Sequence, residues 1–180
     1  HYLNNIPFAD HGALLDPPTA DVSARCISML AQLGATRENS PVFSRGLDYL
    51  LKEQEKDGSW YGRWGLNYIY GTWQVLRGVK AMRVDMDQPW LLRGRDWLIK
   101  VQQPDGGWGE RCNTYDDPIF KGIGPSTPSQ TAWAVMGLCA FGDPDDAAVK
   151  RGIEHLIQTQ NEDGSWTEEE ITGTGFPQVF

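Results

Sequence analysis

Apolar positions recur at helical spacing in six stretches of the chain, and breakers punctuate them. Val22, Cys26, Met29, Leu30 and Leu33 outline an apolar face on a helix from about Val22 to Leu33, with Thr19 or Asp21 as its cap and Gly34 as its stop. A second helix, about Val42 to Glu53, starts at Ser40-Pro41 and carries Phe43, Leu47, Leu50 and Leu51. Further helices are predicted from Gly71 to Met82, from Pro89 to Val101, from Ser129 to Phe141, and from Asp143-Pro144 to Thr159. Breakers are too dense in His1–Asp16 and in Gly109–Pro128 to continue a helix, so the first is predicted as an ordered loop and the second as an irregular segment.

Two kinds of helix alternate in this pattern. Those from Val22, Gly71 and Ser129 are apolar or small on nearly all sides, whereas those from Val42, Pro89 and Asp145 carry Lys, Glu, Arg and Asp on one face. A helix that is apolar all round belongs inside, and an amphipathic one faces water. Ala132, Ala134, Gly137 and Ala140 would let the fifth helix approach a neighbour closely. The implied fold is all-α: an α/α barrel, or toroid, of inner and outer helices, with three pairs forming a partial ring.

A repeated phrase fixes the register of these pairs. Gln54-Glu-Lys-Asp-Gly-Ser-Trp60 returns in close variants at Gln102–Trp108 and Gln160–Trp166, spaced 48 and then 58 residues apart, and an Arg-Gly pair stands nine residues before each glutamine. That period suits two helices with their connections. The repeats therefore run over 45–60, 93–108 and 151–166, and 1–180 reads as part of a single barrel domain. In each phrase Asp-Gly supplies a turn. The glutamine amide is placed to bond orphan backbone groups at a neighbouring helix end, and the tryptophan to pack flat over that amide. A phrase used three times on an outer layer is a staple and not one active site, so Gln54, Trp60, Gln102, Trp108, Gln160 and Trp166 are assigned to structure.

Composition narrows the function. A net charge of −8 and a pI near 4.8, with no basic stripe, exclude a nucleic-acid partner. Cys26, Cys112 and Cys139 are scattered, with no Cys-x-x-Cys pair, so neither a disulfide framework nor a zinc site is signalled and a reducing compartment is favoured. No apolar run reaches the length of a membrane span. The chain begins at His1, not methionine, and reaches Phe180 without a closing helix, and it is read as a piece of a longer protein.

Beyond the phrase, several segments carry a family resemblance: Asn4-Asn5-Ile-Pro-Phe, Asp16-Pro-Pro, Asp57-Gly-Ser-Trp-Tyr-Gly-Arg-Trp-Gly-Leu-Asn-Tyr-Ile-Tyr-Gly-Thr, Ser126-Thr-Pro-Ser-Gln-Thr-Ala-Trp and Gly173-Thr-Gly-Phe-Pro. Together with the phrase, which looks like the QW repeat of triterpene cyclases, they resemble squalene-hopene cyclases of bacteria. The resemblance implies the barrel domain at the carboxyl end of such an enzyme. It implies protonation of squalene and cation-driven ring closure to hopene or hopanol, with no cofactor and no metal. It also implies peripheral, monotopic attachment on the cytoplasmic side of a bacterial membrane through parts outside this chain, and a possible homodimer.

The same resemblance assigns site residues. The family's acid is an Asp-x-Asp-Asp motif at the start of an inner helix; Asp143-Pro-Asp-Asp146 matches the letters but opens an outer helix, where acids cap. The acid is therefore expected upstream of His1, and this chain alone is expected to be inactive. Asp21 and Arg25, at i and i+4, are either an ordinary ion pair or supports of that acid, with Arg25 favouring ionisation of one carboxylate and Asp21 balancing the charge. Tyr70 is assigned to hold water near the acid. Trp64, Phe176 and Phe180, with Tyr70, are placed on the cavity wall, where aromatic faces stabilise a moving cation by roughly 0.5–2 kcal/mol each; the alternative is core filling. His11 matches a cavity-lining position in some relatives. The competing readings are a zinc-dependent protein prenyltransferase-like barrel, a barrel glycosidase using Asp116-Asp117 beside Tyr115, and a non-catalytic binding module.

Overall fold

The computed structural model describes residues 16–173, and among these every regular element is helical. Six α-helices alternate: α1 (Ala20–Gln32), α2 (Pro41–Lys52), α3 (Tyr68–Ala81), α4 (Pro89–Lys100), α5 (Pro128–Cys139) and α6 (Ala147–Gln158). The three odd-numbered helices pack on one another in chain order, and each even-numbered helix packs on the one before it. This gives an inner row and an outer row, the arc of an α/α barrel. Between α4 and α5 the long connection folds into two 3-10 turns, Cys112–Tyr115 and Pro118–Phe120.

The middle inner helix is buried over most of its length, from Tyr68 to Val79, because it has an inner neighbour on either side. The face that α1 buries differs from the predicted stripe. Val22, Cys26, Met29 and Leu33 are exposed, whereas Ala20, Asp21, Ala24 and Ile27 are buried. The reason is backbone approach: a Cβ on Gly78 of α3 would come within 2.7 Å of the Ala24 carbonyl oxygen, so the crossing selects small residues over large ones. The small face predicted for α5 is used in that way, since Gly137 lies against Trp73 of α3. Two starts also shift. Thr19 caps α1 without a side-chain bond, and α6 begins at Ala147, so Pro144 precedes the helix instead of opening it.

The staples close between repeats. Gln54 Nε2 donates to Gly58 O (2.9 Å) and to Trp90 O in the first turn of α4 (2.7 Å); Gln102 does the same to Gly106 O (2.8 Å) and Ala148 O of α6 (2.9 Å). These first-turn carbonyls are not orphan groups, which at a helix start are N–H donors; the amide uses a spare lone pair. The Arg-Gly pair of the following repeat completes the joint. Arg93 donates to Gln54 Oε1 and Arg151 to Gln102 Oε1. A Cβ on Gly94 or Gly152 would stand 2.7 Å from the ring of Trp60 or Trp108, so only glycine leaves room for the indole. The indole itself donates to a carbonyl near the end of its own outer helix, Trp60 to Leu50 O (2.7 Å) and Trp108 to Leu98 O (2.8 Å).

Candidate functional site

The assigned residues within 16–173 converge where the inner helices begin. Asp21 lies in the first turn of α1 and is 1% exposed. Its Oδ2 accepts from the backbone N–H of Arg63 (3.1 Å) and of Trp64 (3.0 Å). One turn on, Arg25 donates to the hydroxyl of Tyr70 (2.5 Å). Asp21 and Arg25 form no ion pair with each other among the described residues, so the i, i+4 reading is corrected: each side chain reaches across to the 63–70 segment instead. The aspartate has backbone amides as its counter-groups, and the Arg25 charge is directed at the phenol.

Tyr70 sits in the first turn of α3, not in a linker, because that helix starts at Tyr68. Its ring occupies a slot that only glycine allows. A Cβ on Gly62 would approach the ring to 2.7 Å, and one on Gly65 would overlap it. Burial pushes the Tyr70 hydroxyl above its ordinary range, opposed by a hydrogen bond with Gln74 and by the Arg25 charge, so it stays a neutral donor and acceptor. Trp64 is partly exposed, with the Arg63 guanidinium 5.9 Å from its ring centre; Arg63 also pairs with Asp16 (3.0 Å).

Two aromatic residues escaped the sequence reading. Trp73 and Trp133 stack at 5.8 Å and 6°, and Tyr70 meets both edge-on at 5.6 and 5.0 Å. Each tryptophan is the sixth residue of its inner helix, and that shared register was the available signal. Beside them a cleft of about 330 Å3 runs between α1 and α3, lined by Arg25, Met29, Trp73, Gln74 and Arg77 among others. Trp73 Nε1 and Asp21 Oδ1 are buried without a hydrogen-bond partner among the described residues. His11, Phe176 and Phe180 lie outside the described residues.

The acidic run of the outer layer caps, as predicted. Asp146 Oδ1 accepts from Ala148 N (2.8 Å) and Val149 N (3.3 Å), and Asp143 Oδ1 accepts from Asp145 N (2.9 Å). Asp117 is occupied in the same manner, accepting from Ile119 N (2.9 Å), while the Tyr115 hydroxyl donates to Gly65 O (2.9 Å). Their geometry is that of turn formation, not of an opposed carboxylate pair in a groove. Among the described residues no cluster of three or more His, Cys, Asp or Glu could hold a metal ion.

Comparison with known proteins gives the family and the fold. The chain is 62% identical over 178 residues to a squalene-hopene cyclase of Schizosaccharomyces japonicus, and 56% identical over 182 residues to one of Bradyrhizobium diazoefficiens. These alignments cover 99% and 100% of this chain but only 27% of either relative, so the chain spans about a quarter of their length. A type II terpene cyclase from Scytonema, solved with geranylgeranyl dihydroxybenzoate, shares the fold with a TM-score of 0.62 at 24% identity, over 94% of this chain and 42% of that one. The family model for the squalene-hopene cyclase C-terminal domain matches residues 1–180. The chain belongs to the squalene-hopene cyclase family, in its carboxyl-terminal domain.

Proposed function

We propose that this chain is the barrel portion of an enzyme that protonates squalene and closes its rings through carbocations to hopene or hopanol, without a cofactor. The observation that carries the reading is the convergence of Arg25, Tyr70, Trp73 and Trp133 at neighbouring inner helices, an aromatic group with one directed cation beside it. Aromatic faces stabilise a migrating positive charge and offer no nucleophile to trap it. Arg25 and Tyr70 support an acid supplied by an Asp-x-Asp-Asp motif upstream of His1, and Asp21 holds the turn that carries Trp64. Trp64, Phe176 and Phe180 line the wall, and His11 borders it. An apolar substrate is drawn from lipid, which favours peripheral attachment at the cytoplasmic face of a bacterial membrane through segments outside this chain; homodimerisation belongs to the same proposal.

The test is turnover of squalene by the full-length parent enzyme, with products separated by gas chromatography. Hopene or hopanol is expected from the parent and nothing from the 180-residue chain. Phe176→Ala and Phe180→Ala in the parent should release partly cyclised products, because a cation that loses its aromatic face loses a proton early. Cyclisation by the chain alone, abolished by Asp145→Asn, would sink the upstream-acid assignment. Pentacyclic product alone from both Phe variants would sink the wall.

A further inference from the structure

A carboxylate buried as deeply as Asp21 stands outside the assigned site. Glu110 follows the second phrase tryptophan by two residues and is 1% exposed. Its Oε1 accepts from the backbone N–H of Asn67 (2.8 Å) and of Ile69 (2.7 Å), and its Oε2 accepts from Gly122 N (3.0 Å). The first two donors are the N-cap and second residue of α3, the positive end of that helix. The third belongs to the long connection before α5. One carboxylate therefore joins the start of an inner helix to a loop more than forty residues further on. Its own backbone is fixed by Gln130, which is fully buried: Glu110 N donates to Gln130 Oε1 (3.1 Å), and Gln130 Nε2 donates to both Glu110 O and Leu66 O (3.1 Å each).

From this cap the contacts lead directly to Tyr70. The Asn67 side chain accepts from Gly62 N (3.3 Å) and donates to Thr114 Oγ1 (3.3 Å). Gly62 and Gly65 form the slot in which the Tyr70 ring lies. Tyr70 itself is one residue beyond the Ile69 amide that Glu110 holds. Among the described residues Glu110 is the one carboxylate that accepts from the backbone amides at the start of α3. Burial pushes the Glu110 carboxyl above its ordinary range, and the amides of Gly122, Ile69, Asn67 and Tyr68 offset this only in part. The third repeat repeats the device: Glu168, two residues after Trp166, accepts from Ser129 N near the start of α5 (2.9 Å). The first repeat lacks it. Gly62 occupies the equivalent position, where a side chain would strike Tyr70, and Asp21 of α1 supplies the carboxylate from the other side.

We propose that Glu110 is a positioning residue of the cyclisation site, acting through Tyr70: it locks the first turn of α3 and so aims the phenol at the point where Arg25 meets it. The inference rests on the reading of Tyr70 as a support of the acid. Glu110→Gln separates the two segments, because one amide oxygen can still serve α3 while the amide nitrogen now faces the Gly122 N–H, donor against donor.

The experiment is a double-mutant cycle in the full-length parent, with Glu110→Gln, Tyr70→Phe and both together, measured as kcat and KM for squalene with melting temperature alongside. Glu110→Gln should lower kcat about tenfold to a hundredfold with KM within about twofold, the scale on which small misplacements act. In the Tyr70→Phe background the same change should cost less than about threefold. Independent, multiplying losses, or a fall in kcat that merely tracks melting, would overturn the proposal. If Tyr70→Phe turns over normally, the acid-support reading fails, and a loss confined to Glu110→Gln would then overturn the action through Tyr70 as well. Should Glu110→Gln fail to fold, Thr114→Val, which removes the acceptor of the Asn67 amide together with the hydroxyl's own bond to Arg111 O (2.9 Å), takes its place in the cycle with the same two outcomes at smaller size.

Discussion

The second and third repeats carry the same phrase, yet their tryptophans end in different surroundings. Trp108 is fully buried, and Trp166 is 43% exposed. Locally the two are twins. Gln102 donates to Gly106 O and Gln160 to Gly164 O, both at 2.8 Å; each indole donates to the carbonyl ten residues earlier, again at 2.8 Å; and each Asp accepts from the backbone N–H two residues on at 2.9 Å. What the third phrase lacks among the described residues is the partner across the joint. Gln102 also reaches Ala148 O and receives Arg151, and Gly152 receives the Trp108 ring. The phrase therefore folds its own turn, and the next outer helix converts that turn into a buried joint. Stability that belongs to the turn should be equal in the two repeats, and stability that belongs to the joint should not.

The tryptophans test this most severely. In urea unfolding of the chain, Trp108→Ala should cost about 3–5 kcal/mol, the scale for truncating a buried aromatic. Trp166→Ala should cost about 1 kcal/mol or less, because half its burial is absent. Equal losses would mean that the indole acts within its own repeat, and a changed product pattern in the parent with normal melting would move Trp108 from staple to site.

The turn glycines divide the effect further. Gly106 and Gly164 both have φ of +88°. A Cβ on Gly106 would stand 2.8 Å from the Arg151 carbonyl oxygen, while one on Gly164 would meet nothing closer than 3.8 Å. Gly164→Ala should show only the left-handed backbone cost, about 1 kcal/mol; Gly106→Ala should lose about 2–3 kcal/mol, since the joint must also open. If the two variants melt alike, the turn and not the docking of α6 limits stability.

The smallest difference lies in charge. Burial raises the Asp57 carboxyl, but the hydrogen bonds from Ser59 and the Lys121 ammonium outweigh it and hold it below the usual carboxylate range. Lys121 comes from the long connection, 3.2 Å from Asp57 and 4.0 Å from the Tyr68 ring centre. Asp163 is lowered by Ser165 alone among side chains, with no such cation beside it among the described residues. A lowered folded value contributes stability above the unfolded carboxylate pKa, and the contribution disappears as pH falls through the folded value. Asp57→Asn should therefore be less stable than the parent chain near pH 6, by under about 1 kcal/mol after solvent screening, with the gap closing in acid and shrinking in high salt. For Asp163→Asn the gap should not respond to salt. A salt-insensitive gap at Asp57 would remove Lys121 from the account.

Much of this architecture could be read from spacing. The alternation of helix types, the Pro residues that open α2 and α4, the Asp-Gly turns and the interval between phrases all depend on a few neighbouring residues, so they survive without knowledge of what packs where. The glycines of the three Arg-Gly pairs were visible as a recurrence, though their purpose was not. Candidate residues fared in the same way: Asp21, Arg25, Trp64 and Tyr70 were each nameable, but not the bonds they make. Tertiary structure decided which face of α1 is buried, because the approach of Ala24 to Gly78 outweighs the larger apolar side chains of the opposite face. It also sent Arg25 to a phenol 45 residues away instead of to Asp21, and Glu110 to the amides of a helix start 41 and 43 residues before it. Turns and caps are satisfied by groups that the chain brings within reach by its local geometry, whereas a buried charge must find donors wherever the packed helices present them.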